Sequence, residues 1–303
     1  MQLQVPPPLV RGSRVALLAP AGPLRDPSEL ERAVANTVEL GWEPLPGAHV
    51  LDRVGYLAGS DADRVADLNR AIRDRSVDGI WCVRGGYGVL RVLEAVDLDA
   101  LRRRPKPLIG FSDITALHAA AGRCAGVVSY HGPTARGSLS DFSRASLERA
   151  VTATGNPAGL APDAEVLVPG VARGRLAGGN LALLASLAGT PYFPSLDGAI
   201  LVLEDVNEPV YRIDRMLRHL RLAGALDRLA GLAFGAFTER GEEREGDTIP
   251  LARVLRETAE RAGVPCVSGV PVGHLDAQWT LPLGAAAELD ASAHRLTIDH
   301  PVA

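Results

Sequence analysis

Short aliphatic runs alternate with amphipathic stretches through the first half of the chain, and this alternation restricts the possible folds more than any other feature. Three runs have the length and composition of buried strands: Val15–Ala19, Gly79–Val83 and Leu108–Gly110. Apolar residues recur at helical spacing in three stretches around them: Pro27–Leu40, Asp61–Arg73 and Ile114–Ala121. Strand, helix and strand at this pitch form βαβ units, so the sequence predicts an α/β fold with a parallel sheet.

A segment rich in Gly, Pro and Ala, with little periodicity, divides this region from the rest of the chain. We therefore predict an N-terminal α/β domain over residues 1–155, a linker over 156–174 and a smaller mixed α/β domain over 175–303. Helices are predicted in the second domain at Leu181–Ala188, Asp214–Leu222 and Thr248–Ala262, and strands at Ala199–Leu203 and Leu229–Phe237. The charged segment Glu239–Asp247 is predicted to be an exposed loop.

Composition narrows the classes of partner and the compartment. The chain has 303 residues, 47% of them hydrophobic, and a formal net charge of −4, which gives no general attraction for nucleic acid or anionic membrane. The three cysteines are widely spaced and form no CxxC pair, which favours reduced thiols. The N-terminus has no secretory pattern, and the apolar runs are too short to span a bilayer. We expect a cytoplasmic protein that binds neither nucleic acid nor membrane.

Ser112 follows the predicted strand Leu108–Gly110 and precedes a predicted helix. Such a turn raises a hydroxyl above the sheet edge and directs the backbone amides of the helix N-terminus toward the same space. A nucleophile needs this exposure, and its oxyanion needs these donors. Ser or Asp before a helix is usually only an N-cap, however, and the segment alone favours that interpretation.

The segment Arg84-Gly-Gly-Tyr-Gly88 also follows a predicted strand. Its glycines permit close backbone approach to a ligand, although the phosphate-binding GK[ST] and GxGxxG patterns are missing. A tight turn explains this segment equally well.

Two further residues are candidates for acid–base chemistry. Glu204 follows three aliphatic residues, so it is predicted at the end of a buried strand, where a carboxylate needs a partner such as Arg212 or Arg215. His274 lies in a predicted loop, and His131 competes with it. The seven histidines show no metal-ligand spacing, and we expect no metal site.

Taken together and in this order, the segments resemble the LD-carboxypeptidase family, the serine peptidases that include the muramoyltetrapeptide carboxypeptidases. The resemblance covers nearly the whole chain. It is carried by Pro8-Leu-Val-Arg-Gly-Ser-Arg-Val-Ala16, Arg84-Gly-Gly-Tyr-Gly88, Gly110-Phe-Ser-Asp-Ile-Thr115, Gly178-Gly-Asn180, Leu203-Glu-Asp-Val-Asn-Glu208, Tyr211-Arg-Ile-Asp-Arg215, Gly273-His274 and Thr280-Leu-Pro-Leu-Gly284.

The resemblance implies a catalytic triad of Ser112, Glu204 and His274, with nucleophile and partners on different domains. It implies an N-terminal domain like those of flavodoxin or class I amidotransferases, an active site in the cleft, no cofactor, and a homodimer. It also implies an oxyanion hole from the amides of Asp113 and of Gly85 or Gly86.

A carboxypeptidase must bind a terminal carboxylate, and Arg84 and Asn180 are the candidates that we single out for this task. Arg84 pairing with a nearby acid is an equally good interpretation.

The function implied by the resemblance is release of the terminal D-alanine from murein tetrapeptides in cell-wall recycling. One alternative within the family is self-immunity to a microcin C-type peptide-nucleotide antibiotic. Relatives of that kind carry extra loop sequence, whereas Glu239–Asp247 is short and lacks an aromatic residue. An alternative of another class is a non-catalytic peptide-binding protein on the same scaffold.

Overall fold

Two β-sheets organise the protein in the computed structural model, which describes residues 3–238 and 249–299. The predicted loop Glu239–Asp247 lies outside the described residues. No helix in the described ranges is long and apolar enough to cross a membrane.

The first sheet confirms the predicted parallel α/β architecture. In spatial order its strands are β12 (Leu281–Leu283), β5 (Ser129–His131), β4 (Leu108–Gly110), β3 (Gly79–Cys82), β1 (Arg14–Leu18) and β2 (Glu43–Pro46). All of these pair in parallel except β12, which reaches this sheet from the C-terminal part of the chain and pairs antiparallel with β5.

Helices cover both faces of the first sheet because its strands are apolar on both sides. In β1, Ala16 and Leu18 face one hydrophobic cluster, while Val15 and Leu17 face another. The helices are α1 (Ser28–Glu39), α2 (Asp61–Arg73), α3 (Val89–Val92), α4 (Leu98–Arg103), α5 (Thr115–Ala120) and α6 (Asp141–Thr152). Helix α2 shows the local signals for a helix, since the Ser60 hydroxyl accepts a hydrogen bond from the Asp63 amide and acidic residues occupy the first turn.

The second sheet combines parallel and antiparallel strands, and together with its helices it forms the mixed α/β structure predicted for this part of the chain. Its strands, in spatial order, are β6 (Gly159–Leu160), β14 (Arg295–Ile298), β13 (Ala286–Asp290), β8 (Val171–Asn180), β9 (Ala199–Val206), β10 (Gly231–Thr238), β11 (Cys266–Ser268) and β7 (Glu165–Val168). The run from β8 to β11 is parallel, and the flanking pairs are antiparallel. Helices α7 (Leu181–Leu187), α8 (Val210–Leu222) and α9 (Leu251–Ala262) pack on one face.

The segment 156–174, predicted as a linker, contributes β6, β7 and the first residues of β8 to the second sheet. Helix α8 also begins four residues before the predicted Asp214, and β9 extends past the predicted Leu203. Part of the reason that the segment lacks strand-like periodicity is Gly174, which lies against neighbouring backbone where a side chain has no room. A Cβ on Gly174 would contact the carbonyl oxygen of Gly198.

Candidate active site

Ser112 lies just beyond the carboxyl end of β4, where open α/β sheets place their ligands. Its φ angle is 64°, a left-handed conformation that is rare for residues with a side chain and that clusters at functional sites. The 3₁₀ turn Ser112–Ile114 leads into α5, and neither start has a side-chain cap. The N-cap interpretation of Ser112 is therefore wrong, and helix capping does not explain its strained backbone.

Asp113 connects the Ser112 turn to the start of α3 by a hydrogen bond. Its carboxylate is buried, and Oδ2 accepts a hydrogen bond of 2.8 Å from the Val89 amide at the start of α3. Burial raises the pKa of Asp113 to about 6, while hydrogen bonds from the Val89 and Gly88 amides act in the opposite direction. The side chain thus holds the turn, and its own backbone amide stays next to Ser112.

The glycine loop, residues 84–88, packs directly against Ser112. A Cβ on Gly85 would lie 2.9 Å from the Ser112 Cβ, closer than real Cβ contacts, and 3.2 Å from its Oγ, closer than most of them. The Gly85 carbonyl accepts a 3.0 Å hydrogen bond from the Gly22 amide, which fixes the loop from behind. Within the described ranges, the amides of Gly85 and Gly86 donate to no other group. The loop therefore packs on the serine and carries two amides without a partner among these residues.

Glu204 and His274 form a hydrogen-bonded pair. Glu204 is fully buried in β9, and its Oε2 lies 2.9 Å from Nδ1 of His274. An ionised carboxylate can only accept, so Nδ1 carries the proton and Nε2 remains the basic nitrogen of the ring. Arg212 approaches Glu208 instead, at 3.6 Å, so the expected arginine pairing of Glu204 does not occur.

Gly273 makes the close contact between these two segments possible. A Cβ at this position would lie 2.8 Å from the Glu204 Cβ and 2.9 Å from its Oε2. The residue also has a φ of 115°, which side chains rarely permit. The loop that carries His274 can therefore lie on top of the carboxylate only with glycine here.

Phe111 connects the serine turn to the histidine loop. Its ring centroid lies 4.7 Å from that of His274, so the residue beside Ser112 touches the imidazole. The competing His131 is fully buried, and burial lowers its pKa to about 3, with His118 and His274 contributing in the same direction. His131 is therefore a neutral packing residue, and His274 is the half-exposed histidine at this edge.

The two predicted carboxylate binders differ in their surroundings. Asn180 is buried; its Nδ2 donates to Asp205 at 2.9 Å, and its Oδ1 accepts from the Leu183 amide at 3.2 Å as the N-cap of α7. These contacts support a structural role. Arg84 is half-buried beside the glycine loop and donates through Nη1 to the Pro23 carbonyl.

Asp205 is a residue of this region that sequence reasoning did not single out. It is buried next to Glu204 and accepts hydrogen bonds from Asn180 and from the Ala182 amide, at 2.9 Å each. Burial raises its pKa to about 6. Asp205 joins β9 to α7 and so fixes the strand end that presents Glu204. Its signal was its position after an aliphatic strand, but that position did not distinguish it from Glu204.

A group with metal-ligand atoms lies elsewhere. His49, Asp52 and Asp63 bring one such atom each within 4.8 Å of one another. His49 Nδ1 is 2.8 Å from Asp52, and this hydrogen bond raises the pKa of His49. The second ring nitrogen of His49, Nε2, lies 3.8 Å from a carboxylate oxygen of Asp63.

Comparison with known proteins identifies the family of this chain. The model of the LD-carboxypeptidase N-terminal domain matches residues 15–132, and that of the LD-carboxypeptidase C-terminal domain matches residues 173–289. The chain belongs to the LD-carboxypeptidase family. The murein tetrapeptide carboxypeptidase of Pseudomonas aeruginosa is 36% identical over 297 residues, covering 93% of this chain and 94% of that protein.

Two solved structures show the same fold for members and neighbours of the LD-carboxypeptidase family. The muramoyltetrapeptide carboxypeptidase from Oxalobacter formigenes has a TM-score of 0.85 and 31% identity, covering 96% of this chain and 100% of that chain. MccF in complex with glutamyl sulfamoyl guanosine has a TM-score of 0.89 at 21% identity, covering 99% of each chain. The two-domain architecture is thus that of the family, while the MccF likeness concerns the fold alone.

Proposed function

We propose that the protein is a serine carboxypeptidase that hydrolyses the L,D-peptide bond before the terminal D-alanine of murein tetrapeptides. The observation that carries the proposal is the contact of Phe111 with His274, which brings the strained Ser112 turn next to the Glu204–His274 pair. Membership of the LD-carboxypeptidase family and the likeness to murein tetrapeptide carboxypeptidases support this substrate class.

The proposed reaction begins with Ser112, whose hydroxyl is a weak nucleophile at neutral pH and needs a base. Nε2 of His274 takes the hydroxyl proton as Oγ attacks the scissile carbonyl carbon. Glu204 holds the imidazole tautomer through the 2.9 Å hydrogen bond at Nδ1 and stabilises the imidazolium.

The tetrahedral intermediate carries a negative oxygen that needs fixed donors. We assign these to the amides of Asp113 and of Gly85 or Gly86, since the glycine loop packs on Ser112. Losing one such donor typically costs about 3 kcal/mol of transition-state stabilisation. His274 then returns its proton to the leaving amine of D-alanine, and water hydrolyses the acyl-enzyme by the same steps.

The proposal includes a cytoplasmic location, which the recycling role requires. It also includes a homodimer, which the family resemblance implies. The microcin C-type immunity alternative rests on a likeness in fold at 21% identity, so it stands as an outcome of the experiment. The peptide-binding alternative is opposed by the buried carboxylate paired with His274 and by the strain at Ser112.

The test incubates the purified protein with tetrapeptides ending in L-Lys-D-Ala or diaminopimelate-D-Ala and measures free D-alanine. We expect release from at least one of them, and Ser112→Ala should abolish it while the melting temperature changes little. The matched control is Ser186→Ala, on the exposed face of α7. Cleavage of an aminoacyl-sulfamoyl adenylate but of neither tetrapeptide would replace this proposal with the immunity function. Peptide binding with no cleavage would favour the non-catalytic alternative.

A further inference from the structure

Four arginines gather around one short loop next to the glycine loop. We call Arg25, Arg53, Arg84 and Arg136 the arginine cluster. Arg84 donates to the Pro23 carbonyl, and Arg53 donates to the adjacent Leu24 carbonyl at 2.8 Å. Arg136 forms an ion pair with Glu29, whose second oxygen accepts from the Arg25 amide at 2.7 Å.

The arginine cluster carries excess positive charge in a chain whose formal net charge is −4. Burial lowers the pKa of Arg84, and the charges of Arg136, Arg25 and Arg53 lower it further, while Glu29 opposes them. Arginine remains protonated under these conditions, so the charges that act most strongly on Arg84 are three guanidinium groups and one carboxylate, that of Glu29. That carboxylate already has a partner at each oxygen. The cluster therefore has the electrostatics of an anion site.

The hydrogen bonds of Arg84 leave room for such an anion. A guanidinium has five N–H donors, and the Pro23 carbonyl uses one of those on Arg84. Across residues 3–238 and 249–299, its Nε and Nη2 have no acceptor. Arg84 is also half-buried, so its charge is less screened by solvent than that of an exposed arginine.

Arg84 directly precedes Gly85, the glycine that packs against Ser112. The Cα atoms of Arg84 and Gly85 are therefore about 3.8 Å apart. The Nε of Arg84 lies 3.8 Å from the position that a Cβ on Gly22 would occupy and 4.0 Å from the corresponding position on Gly86, a residue of the glycine loop. The glycine loop thus carries both the proposed oxyanion donors and the guanidinium group of Arg84.

We propose that Arg84, supported by the arginine cluster, binds the α-carboxylate of the leaving D-amino acid. The inference rests on the proposed function and deepens it. Planar guanidinium groups match carboxylates bidentately, with a geometric specificity that an ammonium lacks. A peptide bond inside a longer chain, or a carboxamide terminus, offers no anion at this point. The cluster therefore restricts the enzyme to the last residue of its substrate.

A carboxylate could also come from the side chain of diaminopimelate, so the experiment separates the two sources. The substrates are tetrapeptides with L-lysine or diaminopimelate before the terminal residue, each ending in D-alanine or in D-alaninamide. The proteins are the wild type, Arg84→Gln, Arg84→Lys and the control Arg173→Gln, whose arginine is exposed on the second sheet. The measured quantities are kcat/KM and the melting temperature of each variant.

We expect Arg84→Gln to lower kcat/KM on both D-alanine substrates by about 10- to 100-fold, the range of a hydrogen bond to a charged group. It should leave the carboxamide substrates nearly unchanged, so the acid-to-amide preference disappears. Arg84→Lys keeps the positive charge but lacks the planar guanidinium, so its kcat/KM should lie between those of the wild type and Arg84→Gln. Arg173→Gln should have the kcat/KM of the wild type.

Two results would overturn the inference. One is an equal loss on acid and amide substrates; the other is a loss confined to the diaminopimelate substrates. Failure of the proposed function has a different signature, namely no turnover of any tetrapeptide by the wild type. In that case, calorimetric binding of the acid and amide peptides to Ser112→Ala, with and without Arg84→Gln, still tests carboxylate recognition.

Discussion

Gly85→Ala tests whether the glycine loop and Ser112 form one catalytic unit. A Cβ at residue 85 would lie 2.9 Å from the Ser112 Cβ, 3.2 Å from its Oγ and 3.1 Å from the Phe111 carbonyl oxygen. Gly85 is not among the glycines with positive φ, so alanine brings no backbone strain of its own. The effect of the substitution is therefore a local steric push on the nucleophile.

The size of that push follows from the contact distances. Carbon atoms pack at about 3.5–4.0 Å, so the alanine and Ser112 carbons must separate by roughly 0.6–1 Å. A misplacement of 1 Å at a reacting group can cost about 100-fold in rate. We expect kcat/KM for D-alanine release to fall about 10- to 100-fold, up to about 2.7 kcal/mol of transition-state stabilisation.

The assay is steady-state release of D-alanine, with thermal unfolding to confirm an intact fold. Gly137→Ala is the matched control, because its Cβ would meet only the Thr134 carbonyl oxygen, at 3.4 Å, and its φ is also not positive. Full activity in a folded Gly85→Ala protein would refute the reasoning, since it would mean that the loop can move away without consequence for Ser112.

Three further substitutions test other parts of the site. Glu204→Gln should lower kcat by up to about 10⁴-fold with the fold retained, because the amide favours the wrong tautomer of His274; steady-state kinetics would contradict this if the loss were less than tenfold. The pKa of Asp113 is about 6 in the folded protein against the ordinary 3.8, so the folded state holds this proton more tightly than the unfolded chain. The free energy of unfolding therefore falls as pH rises from about 4 to 6. Asp113→Asn should therefore gain up to about 3 kcal/mol of unfolding free energy relative to wild type between pH 4 and 7, and urea titrations showing a constant difference would exclude this. Asn180→Ala should lower the free energy of unfolding by about 1–3 kcal/mol in the same titrations, since it removes a helix cap and a hydrogen bond to buried Asp205. Normal stability with a raised KM would instead support the substrate-binding role of Asn180.

The first sheet was predictable because its signals are local. The apolar runs at β1, β3 and β4 are buried on both faces. A continuous apolar run of this kind can be recognised in the sequence without knowing which strands lie beside it. Strand β8 was not predictable over its full length. Its sequence, with Gly174, Gly178 and Gly179, has poor strand propensity, and pairing with β9 and β13 determines its conformation.

The candidate site divides in the same way. The position of Ser112 after a strand was visible in the sequence, but its φ of 64° and its lack of a capping role were not. An N-cap and a catalytic turn have the same residue types, and only the backbone conformation distinguishes them. Likewise, a buried acid such as Glu204 needs a partner, but the choice between Arg212 and His274 depends on which loop packs over the strand end.

The sequence by itself determined the α/β class, the strand ends that carry Ser112 and Glu204, and, through the order of its motifs, the resemblance to LD-carboxypeptidases. Tertiary structure alone decided that the competing His131 is fully buried, that Asn180 is engaged within the fold, and that four arginines surround one loop. The physical reason is the range of the interactions. Periodicity and turn chemistry act over a few residues, whereas these contacts join segments that are 25 to 107 residues apart along the chain.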